Sequence, residues 1–585
     1  MNIFNIFTLL GGLAFFLYGM SVMSGGLEKI AGGKMEALLR KMTSHPVKSL
    51  ALGMLITIFV QSSSAVTVML VGLVNSGMMD LSQAIGVIMG SNVGTTVTAW
   101  ILSLSGIQSD NFFVQLLKPE SFSPLLALAG IMMIMGSKKS KNKNVGSVLV
   151  GFAVLMYGMI LMKDAMSPLA DMPEFTSILT AFSNPFLGIL VGTIVTAVIQ
   201  SSAASVGILQ ALSLTGGISY GMAFPIIMGQ NIGTCVSAVL SAIGVNNNAK
   251  RVAVVHIAFN VLGTAIFLAA YMGINMLFHI PFFEKSINPF GIAIMHSIFN
   301  VGTTLILYPF AKQLEKIAKV CIKDSKAEKE HEVIIDDRLL LSPSFAIAEC
   351  TRLTRKMAKV VEYNFINSTK LLKSFHQREA DHIAENELKI DMYEDKLDSF
   401  LLKLSGKQLS DEDSNKITQL LLTIGDYERI GDHASYILKI AQAMNEKNLK
   451  FSTEAIEELK VIVHAVSEIF KVTLDVFVND NTQLAREVEP LEMVIKNITR
   501  KVKSRHVARL KDGLCSVESS FMFSDLLNDF RRIAAHCSNI ATCTVQIKES
   551  SMEKHEYSHR TKSAENTDFT NKYENYKSIY SVSKS

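Results

Sequence analysis

Residues 49–79 contain no Asp, Glu, Lys or Arg, yet Gln61-Ser62-Ser63-Ser64 sits at the centre of this apolar run. In lipid a buried polar group must find a partner inside the protein or line a wet cavity. A polar tetrad in such a run therefore restricts the chain to a membrane fold with a polar centre. The tetrad returns 139 residues later as Gln200-Ser201-Ser202-Ala203, in the same kind of run. The same offset pairs Gly12 with Gly151, Tyr18-Gly19-Met20 with Tyr157-Gly158-Met159, Pro46 with Pro185, Gly53 with Gly192 and Thr57 with Thr196. It also pairs Asn92-Val93-Gly94-Thr95 with Asn231-Ile232-Gly233-Thr234, with no gap anywhere between. This is an internal duplication, a common feature of secondary transporters.

Charge divides the chain. Residues 1–311 carry 14 Lys/Arg and 9 Asp/Glu; the remaining residues carry 42 and 43. The expectation is a membrane domain over 1–311 and a soluble part beyond Lys312. The six cysteines form no C-x-x-C pair, and five lie in or beside the soluble part, which fits a reducing cytosol. The first apolar run lacks a basic leader and reads as a membrane helix rather than a cleaved signal.

Spans of roughly 20 apolar residues are expected at 5–24, 82–105, 122–137, 145–162, 221–245, 252–273 and 291–311. The tetrad runs, 48–76 and 187–214, are too long for one simple helix and too short for two full crossings. Positive charge marks cytoplasmic loops. Lys29, Lys34, Arg40, Lys41 and Lys48 form one such cluster, Lys138, Lys139, Lys141 and Lys143 a second, and Lys250-Arg251 a third. The segment 163–183, with Asp164, Asp171 and Glu174 against Lys163, reads as external. All four assignments hold if each tetrad segment enters and leaves on one side. Each tetrad run is thus expected to be a re-entrant hairpin, with helix breaks at Gly53, Gly72 and Gly77 and at Gly192, Gly207 and Gly216-Gly217. Each repeat then crosses an odd number of times, so the repeats are inverted.

Beyond Lys312 the spacing is helical and polar, with apolar rows through 340–375, 383–404, 414–445, 453–479, 482–510 and 518–548. The fold class is all-α: a polytopic domain of two inverted repeats (about 5–137 and 145–273, plus a last helix 291–311), a linker over 312–340, and a helical bundle over 341–550. The tail 551–585, poor in aliphatics, is expected to be disordered. The bundle also looks duplicated, since Asp426-Tyr427-Glu428-Arg429-Ile430-Gly431-Asp432-His433 resembles Asp529-Phe530-Arg531-Arg532-Ile533-Ala534-Ala535-His536.

Broken helices meeting near the membrane midplane bind anions at their N-termini and cations at freed carbonyls. Asn92, Thr95, Asn231 and Thr234 offer hard oxygens, and the Gly between them would permit an unwound turn; together they suit Na⁺. No Lys or Arg lies deep in any expected span, so a multivalent anion bound there would need co-bound cations to offset its charge. His256 and Asn260, echoed 40 residues on by His296 and Asn300, share helix faces; interhelical hydrogen bonding and a place on the substrate path are equally open readings. Glu428 and Asp432, one helical turn apart, could hold a divalent metal, although such pairs more often face solvent. No nucleophile–base pair, phosphate-binding Gly-rich loop or zinc signature points to an enzyme.

The duplicated Gln-Ser-Ser with its following Asn-x-Gly-Thr resembles the type II sodium/phosphate cotransporter family over roughly 5–311. The resemblance implies that Gln61, Ser62, Ser63, Ser64, Gln200, Ser201 and Ser202 bind substrate and ion, with Asn92, Thr95, Asn231 and Thr234 as supporting sodium ligands. Ala203 stands where the first copy has Ser64. The bundle is similar to a PhoU domain, whose acidic helix signature matches at Glu428, Arg429, Gly431, Asp432 and His433; Arg531 and Ala535 depart from it in the second copy. The implied function is Na⁺-coupled symport of inorganic phosphate across the cell membrane, with the bundle in the cytoplasm. The implied partners are phosphate, Na⁺ and lipid, with a regulatory protein or a second copy of the chain open and no nucleic acid. A phosphate-status receptor that binds without transport, a symporter of another oxyanion, and H⁺ as driving ion remain open at this stage.

Overall fold

The computed structural model describes residues 3–31, 46–106, 118–166, 168, 183–278, 280–323, 335–407, 409–549 and 567–582. Lys34, Arg40, Lys41, Asp171 and Glu174, which entered the loop assignments, lie outside them. The chain divides into two compact units, one built on Met1–Ala346 and the other on Ile347–Lys407 and Asp413–Ser585. Both are helical, and among the described residues the only β feature is one isolated bridge, Ser219 to Ser286.

The first unit contains α1 (Ile3–Ala31), α2 (Pro46–Val60), α3 (Ser63–Asn75), α4 (Leu81–Ser103), α5 (Pro119–Gly136), α6 (Ser140–Met166), α7 (Pro185–Ile199), α8 (Ser202–Ser213), α9 (Tyr220–Ser241), α10 (Asn247–Phe278), α11 (Pro289–Leu307) and α12 (Ala311–Cys321). Among the described residues six stretches are long and apolar enough to cross a membrane: α1, α4, α6, α9, α10 and α11 with α12; α5, over the span expected at 122–137, is apolar but shorter. The pair α2 and α3 has 15 and 13 residues. At 1.5 Å per residue they reach only about 22 and 20 Å, short of a bilayer core of about 30 Å.

The 139-residue duplication is written into the element boundaries. Pro46, Ser63 and Leu81 open α2, α3 and α4; Pro185, Ser202 and Tyr220 open α7, α8 and α9 at the same offset. Glycine packing repeats it too. A Cβ on Gly53 would lie 2.1 Å from the Val87 carbonyl oxygen, and one on Gly90 1.9 Å from that of Leu50. The equivalents, Gly192 against Ile226 and Gly229 against Ile189, come to 2.2 and 2.0 Å. Along the whole contact residue numbers rise together, Gly86 meeting Pro46, Gly90 Leu50 and Gly94 Met54 in the first copy, and Gly188 meeting Pro225 and Gly233 Thr193 in the second, so α2 runs parallel to α4 and α7 to α9. The equivalent helices α1 and α6 instead pack antiparallel: Gly12 lies on Gly158, Gly19 on Gly151 and Gly26 on Asn144.

The helix breaks fall at two of the expected places, Gly77 and Gly216, and otherwise elsewhere. Gly53, Gly72, Gly192 and Gly207 all lie inside helices. The chain turns at the glutamines, with Gln61 at φ 53° and Gln200 at φ 55°, and at Gly77 and Gly216 in the turns that follow α3 and α8. The reason is packing. Gly53 and Gly192 are consumed by close backbone approach, whereas an αL residue is needed where a helix stops and another starts in a new direction.

The 312–340 segment is more than a linker. After α12, whose Leu314 and Ala318 are buried, Asp337–Leu341 forms a 3₁₀ turn against α3. Asn75 donates Nδ2 to Asp336 Oδ2 (2.8 Å) and receives the amide of Asn246 on its Oδ1 (3.0 Å), while Arg338 donates to the Ile243 carbonyl (2.9 Å). The polar composition of this segment concealed Leu339, which is fully buried.

The second unit contains α13 (Pro343–Leu371, which begins in the first), α14 (Gln377–Ser405), α15 (Asp411–Glu446), α16 (Thr453–Asn479), α17 (Thr482–Lys511), α18 (Val517–Glu549) and α19 (Thr567–Ile579). Its two similar segments cross-pair. His433 Nδ1 lies 2.9 Å from Asp529 Oδ1, His536 Nδ1 lies 2.8 Å from Asp426 Oδ1, and the two imidazoles are 5.9 Å apart. Helix α19 falls in the tail expected to be disordered and corrects that expectation for 567–582. Phe569, Tyr573, Tyr576 and Tyr580 lie on one face of it. Phe569 and Tyr580 are buried, Tyr573 receives Asn497 Nδ2 (3.0 Å) and Tyr580 donates to Glu468 (3.2 Å). Four aromatics at helical spacing supply the apolar face that the missing aliphatics would have supplied.

Candidate functional site

Each tetrad ends one helix and starts the next. The peptide of Gln61 closes α2 by donating to the Thr57 carbonyl (2.7 Å), and its αL conformation redirects the chain. Ser62, extended, then caps α3 by accepting the Ala65 amide on its hydroxyl (3.2 Å). Gln200 and Ser201 repeat this, with the Gln200 amide on Thr196 at 2.8 Å and the Ala204 amide on Ser201 at 3.2 Å. A Ser N-cap takes one of the first amides of a helix and leaves others pointing outward. Here the outward amides belong to Ser63 and Ser64, and to Ser202 and Ala203.

The two helix starts meet. Ser63 Oγ lies 3.5 Å from Ser202 Oγ, one hydroxyl from each repeat. The tetrads, far apart in sequence, thus form one polar locus in the first unit. The copies differ around it. Gln61 is buried, its Nε2 on the Ile58 carbonyl (2.5 Å) and its Oε1 receiving Thr98 Oγ1 (2.9 Å), whereas Gln200 is exposed.

The Asn-x-Gly-Thr turns pack beside the helices that end in the tetrads. A Cβ on Gly94 would lie 2.8 Å from Thr57 Cβ, and one on Gly233 2.8 Å from Thr196 Cβ. The expectation that these glycines unwind the chain is overturned, since α4 and α9 run unbroken through them; they are there to let α2 and α7 approach. The four polar residues are buried. Asn92 and Asn231 donate their amide nitrogens to the carbonyls one turn back (3.3 and 2.9 Å), which turns each Oδ1 away from its own helix. Thr95 and Thr234 spend their hydroxyl protons likewise (both 3.0 Å), keeping oxygen lone pairs.

Other residues belong to the same locus, and sequence reasoning did not assign them. Thr57 donates to Ser91 Oγ (2.7 Å). The equivalent pair, Thr196 and Gln230, makes no such bond: Thr196 Oγ1 and Gln230 Oε1 are buried without a hydrogen-bond partner, as is Ser205 Oγ. The signal was present, because Thr57 and Thr196 precede the glutamines by one helical turn and match across the offset. His256 and His296 are buried, and Asn260 and Asn300 each donate back to the carbonyl of the histidine one turn earlier (3.0 and 2.9 Å). Asn260 also reaches Cys235 Sγ on α9 (3.4 Å), the bridging between helices that was one of the two readings.

In the second unit Glu428 and Asp432 lie near Asp391 and Glu394 of α14. Burial first, then the neighbouring carboxylates, raises the Glu428 carboxyl to about 7; the same causes raise Glu387 to about 7. Among the described residues no group of three or more His, Cys, Asp and Glu is placed to hold a metal ion. Among the described residues Glu428 and Asp432 thus belong to no group of the three or more ligands that would hold a divalent cation.

Comparison with known proteins gives the same division. The Na⁺/Pi-cotransporter family model matches residues 15–164 and again 154–295, and the PhoU domain model matches 354–441 and 459–544. A putative inorganic phosphate export protein, YjbB, of Escherichia coli (strain K12) is 22% identical over 571 residues, covering 94% of this chain and 99% of that protein. The uncharacterized protein YqeW of Bacillus subtilis (strain 168) is 29% identical over 317 residues, 53% of this chain and 96% of its own. Sodium-dependent phosphate transport protein 2A of Rattus norvegicus is 42% identical over 99 residues, 16% of this chain and 15% of its own. The crystal structure of PhoU from Pseudomonas aeruginosa aligns with 35% of this chain and 99% of its own, at 21% identity and a TM-score of 0.34. Both families are transport and regulatory proteins rather than enzymes. The protein is a multi-pass inner-membrane protein with its C-terminal domain in the cytoplasm. The chain belongs to the Na⁺/Pi-cotransporter family, in the form that carries a C-terminal PhoU domain.

Proposed function

We propose that the protein couples Na⁺ to the movement of inorganic phosphate, with phosphate held between the two tetrads and Na⁺ on the oxygens beside them. The observation that carries this reading is the 3.5 Å approach of Ser63 and Ser202 at two helix N-termini. A phosphate there would receive the outward amides and hydroxyls of Ser62, Ser63, Ser64, Ser201 and Ser202, with positive helix-dipole ends on both sides. The amides of Gln61 and Gln200 flank it. Na⁺ would take oxygens from Asn92, Thr95, Asn231 and Thr234. The unpaired buried oxygens of Thr196, Ser205 and Gln230 fit the same role, since a buried acceptor without a donor is satisfied by a cation at no cost in protons.

Inverted topology is part of the proposal. It is supported by the antiparallel packing of α1 on α6, two helices that are sequence equivalents. Re-entrant hairpins are supported by the parallel course of α2 and α4. If α4 starts level with α2 and runs the same way, the chain between them has gone in and come back. Alternating access would then move the two hairpins against a scaffold.

Uptake of labelled phosphate into proteoliposomes tests this, with an inward Na⁺ gradient and then with K⁺ in its place. Na⁺-dependent flux that falls at least tenfold in Ser62→Ala and Ser201→Ala is expected; flux indifferent to Na⁺ would sink the coupling. A second reading, net export, is favoured by the YjbB relatives, which are named as putative inorganic phosphate export proteins. Reversing both gradients across the same liposomes, with orientation fixed by a protease-accessible tag, separates the two.

A further inference from the structure

Helix α3 carries Ser63 as its first residue and Asn75 as its last. It is unbroken between them and about 20 Å long, so a displacement of its foot at Asn75 reaches Ser63. Whatever holds that foot also holds one side of the tetrad locus. Asn246, in the turn before α10, gives its backbone amide to Asn75 Oδ1 (3.0 Å) and its Nδ2 to the Asn75 carbonyl (2.9 Å). Residues 336–341 hold the foot from another side. Asp336 is 4% exposed, and its carboxylate takes Asn75 Nδ2 (2.8 Å), the Arg338 amide (2.9 Å) and Arg338 Nη1 (2.9 Å). Arg338 Nη2 continues to the Ile243 carbonyl (2.9 Å). Leu339 lies on α3 at Gly72, where a Cβ would come to 3.4 Å from both Leu339 Cδ2 and Arg338 Cβ.

The second repeat is held in another way. The turn after α8 is fixed by backbone bonds to the segment between α10 and α11: Ile287 donates to the Ile218 carbonyl (2.9 Å) and Tyr220 to that of Lys285 (3.1 Å). In the first repeat the hydrogen bond to α3 is made by side chains, Asn75 and Asp336, and the segment runs on without slack. Ser342 donates its amide to the Leu339 carbonyl (3.0 Å), and Pro343 opens α13, the helix that leads into the PhoU domain. Side-chain bonds can be undone without unfolding a helix. Continuity with α13 gives the cytoplasmic domain a direct hold on them.

We propose that residues 336–341 are a regulatory strap. Docked, it holds α3 so that Ser63 meets Ser202; drawn off by a movement of α13, it frees α3 and loosens the anion locus. The proposal rests on the reading that the tetrads hold the anion, and it names the route by which the cytoplasmic domain reaches them.

The test uses the full chain in liposomes, with Ser63→Cys and Ser202→Cys introduced together and oxidised with copper phenanthroline. Mass spectrometry follows the linked peptides, and hydrogen exchange over 335–342 reports the strap in the same samples. Asn75→Asp sets a carboxylate against Asp336 while keeping an acceptor for Asn246. Gly72→Leu overfills the contact with Leu339. Both should remove the strap's protection and slow cross-linking about fivefold, the lower end of ordinary coupling between sites. Asn75→Asp combined with Asp336→Asn, which reverses the pair, should stay within about twofold of the doubly substituted parent, and so should Gly72→Ala, for which there is room. Lost protection with unchanged cross-linking overturns the proposal, and so does protection that survives both variants. Phosphate uptake is measured separately, without the cysteines: its KM should rise about fivefold in Asn75→Asp and return in the reversed pair. A parent that carries no phosphate sinks the transport reading, and the cross-linking result still decides the strap.

Discussion

At the scale of single residues, the two repeats have kept their backbone and diverged in hydrogen bonding. Thr57 and Ser91 satisfy each other, whereas Thr196 and Gln230 are left unpaired. This difference gives a paired prediction. Thr57→Val should cost about 1 kcal/mol, because it strands the Ser91 hydroxyl. Thr196→Val should cost nothing in thermal unfolding and yet raise the Na⁺ concentration for half-maximal flux about tenfold, the loss of one ligand worth about 1.4 kcal/mol. A Thr196→Val protein with unchanged Na⁺ dependence would remove Thr196 from the ion site. The caps belong to this scale as well. The Gln-Ser pair is legible in the sequence as a polar interruption, but its local job is mechanical: Gln supplies the αL turn and Ser the cap.

At the scale of elements, glycine decides how helices meet. Gly90 and Gly229 sit against the backbones of α2 and α7, where a methyl group would overlap a carbonyl oxygen at 1.9 and 2.0 Å. Gly90→Ala and Gly229→Ala should each lower the melting temperature by several degrees or prevent folding, since backbone cannot yield as a side-chain end can. Gly11→Ala, with open space around it, should be neutral or slightly stabilising through helix propensity. Fluorescence-detected size exclusion after a heat step measures all three. The duplicated glycines were visible in the sequence; their use was not. Spacing alone offered them as helix breakers, and only the neighbouring helix shows that they are contact points. Helix α19 teaches the reverse. Its aromatic row was in plain view at spacings of four, three and four, yet composition argued for disorder because an isolated helix of that length is marginal in water. Docking on α17 supplies what the isolated segment lacks. Truncation before Thr567 should therefore destabilise the bundle by exposing the faces that Phe569 and Tyr580 cover, visible as faster proteolysis of α17.

At the scale of the whole molecule, the two units answer to different physics. In the first, which is poor in charge, the polar groups of the two tetrads converge on one locus. In the second, carboxylates crowd around Glu387 and Glu428, whose proton affinities are raised to about 7. A carboxyl that binds its proton more tightly when folded stabilises the fold below its unfolded value, near 4.3, and loses that contribution as pH rises through about 7. The unfolding temperature of the cytoplasmic unit should accordingly fall between pH 5 and pH 8. Discounted for solvent screening the effect is about 1 kcal/mol, or about 2–4 °C for a domain of this size. Glu428→Gln should flatten the profile. A profile as steep as the parent's would remove Glu428 as a source.

The sequence by itself determined the duplication, the division into a charge-poor and a charge-rich half, the all-α class and the two tetrads at the centre of the polar locus. Each of these follows from periodicity and composition, which are local or repeat at a constant offset. The tertiary structure decided which of those residues meet. That Ser63 reaches Ser202, and that Thr196 stays unpaired while its counterpart does not, depend on distances between helices. Those distances are set by how closely neighbouring backbones can approach, and glycine contacts across an interface have no signature in the sequence of one helix alone.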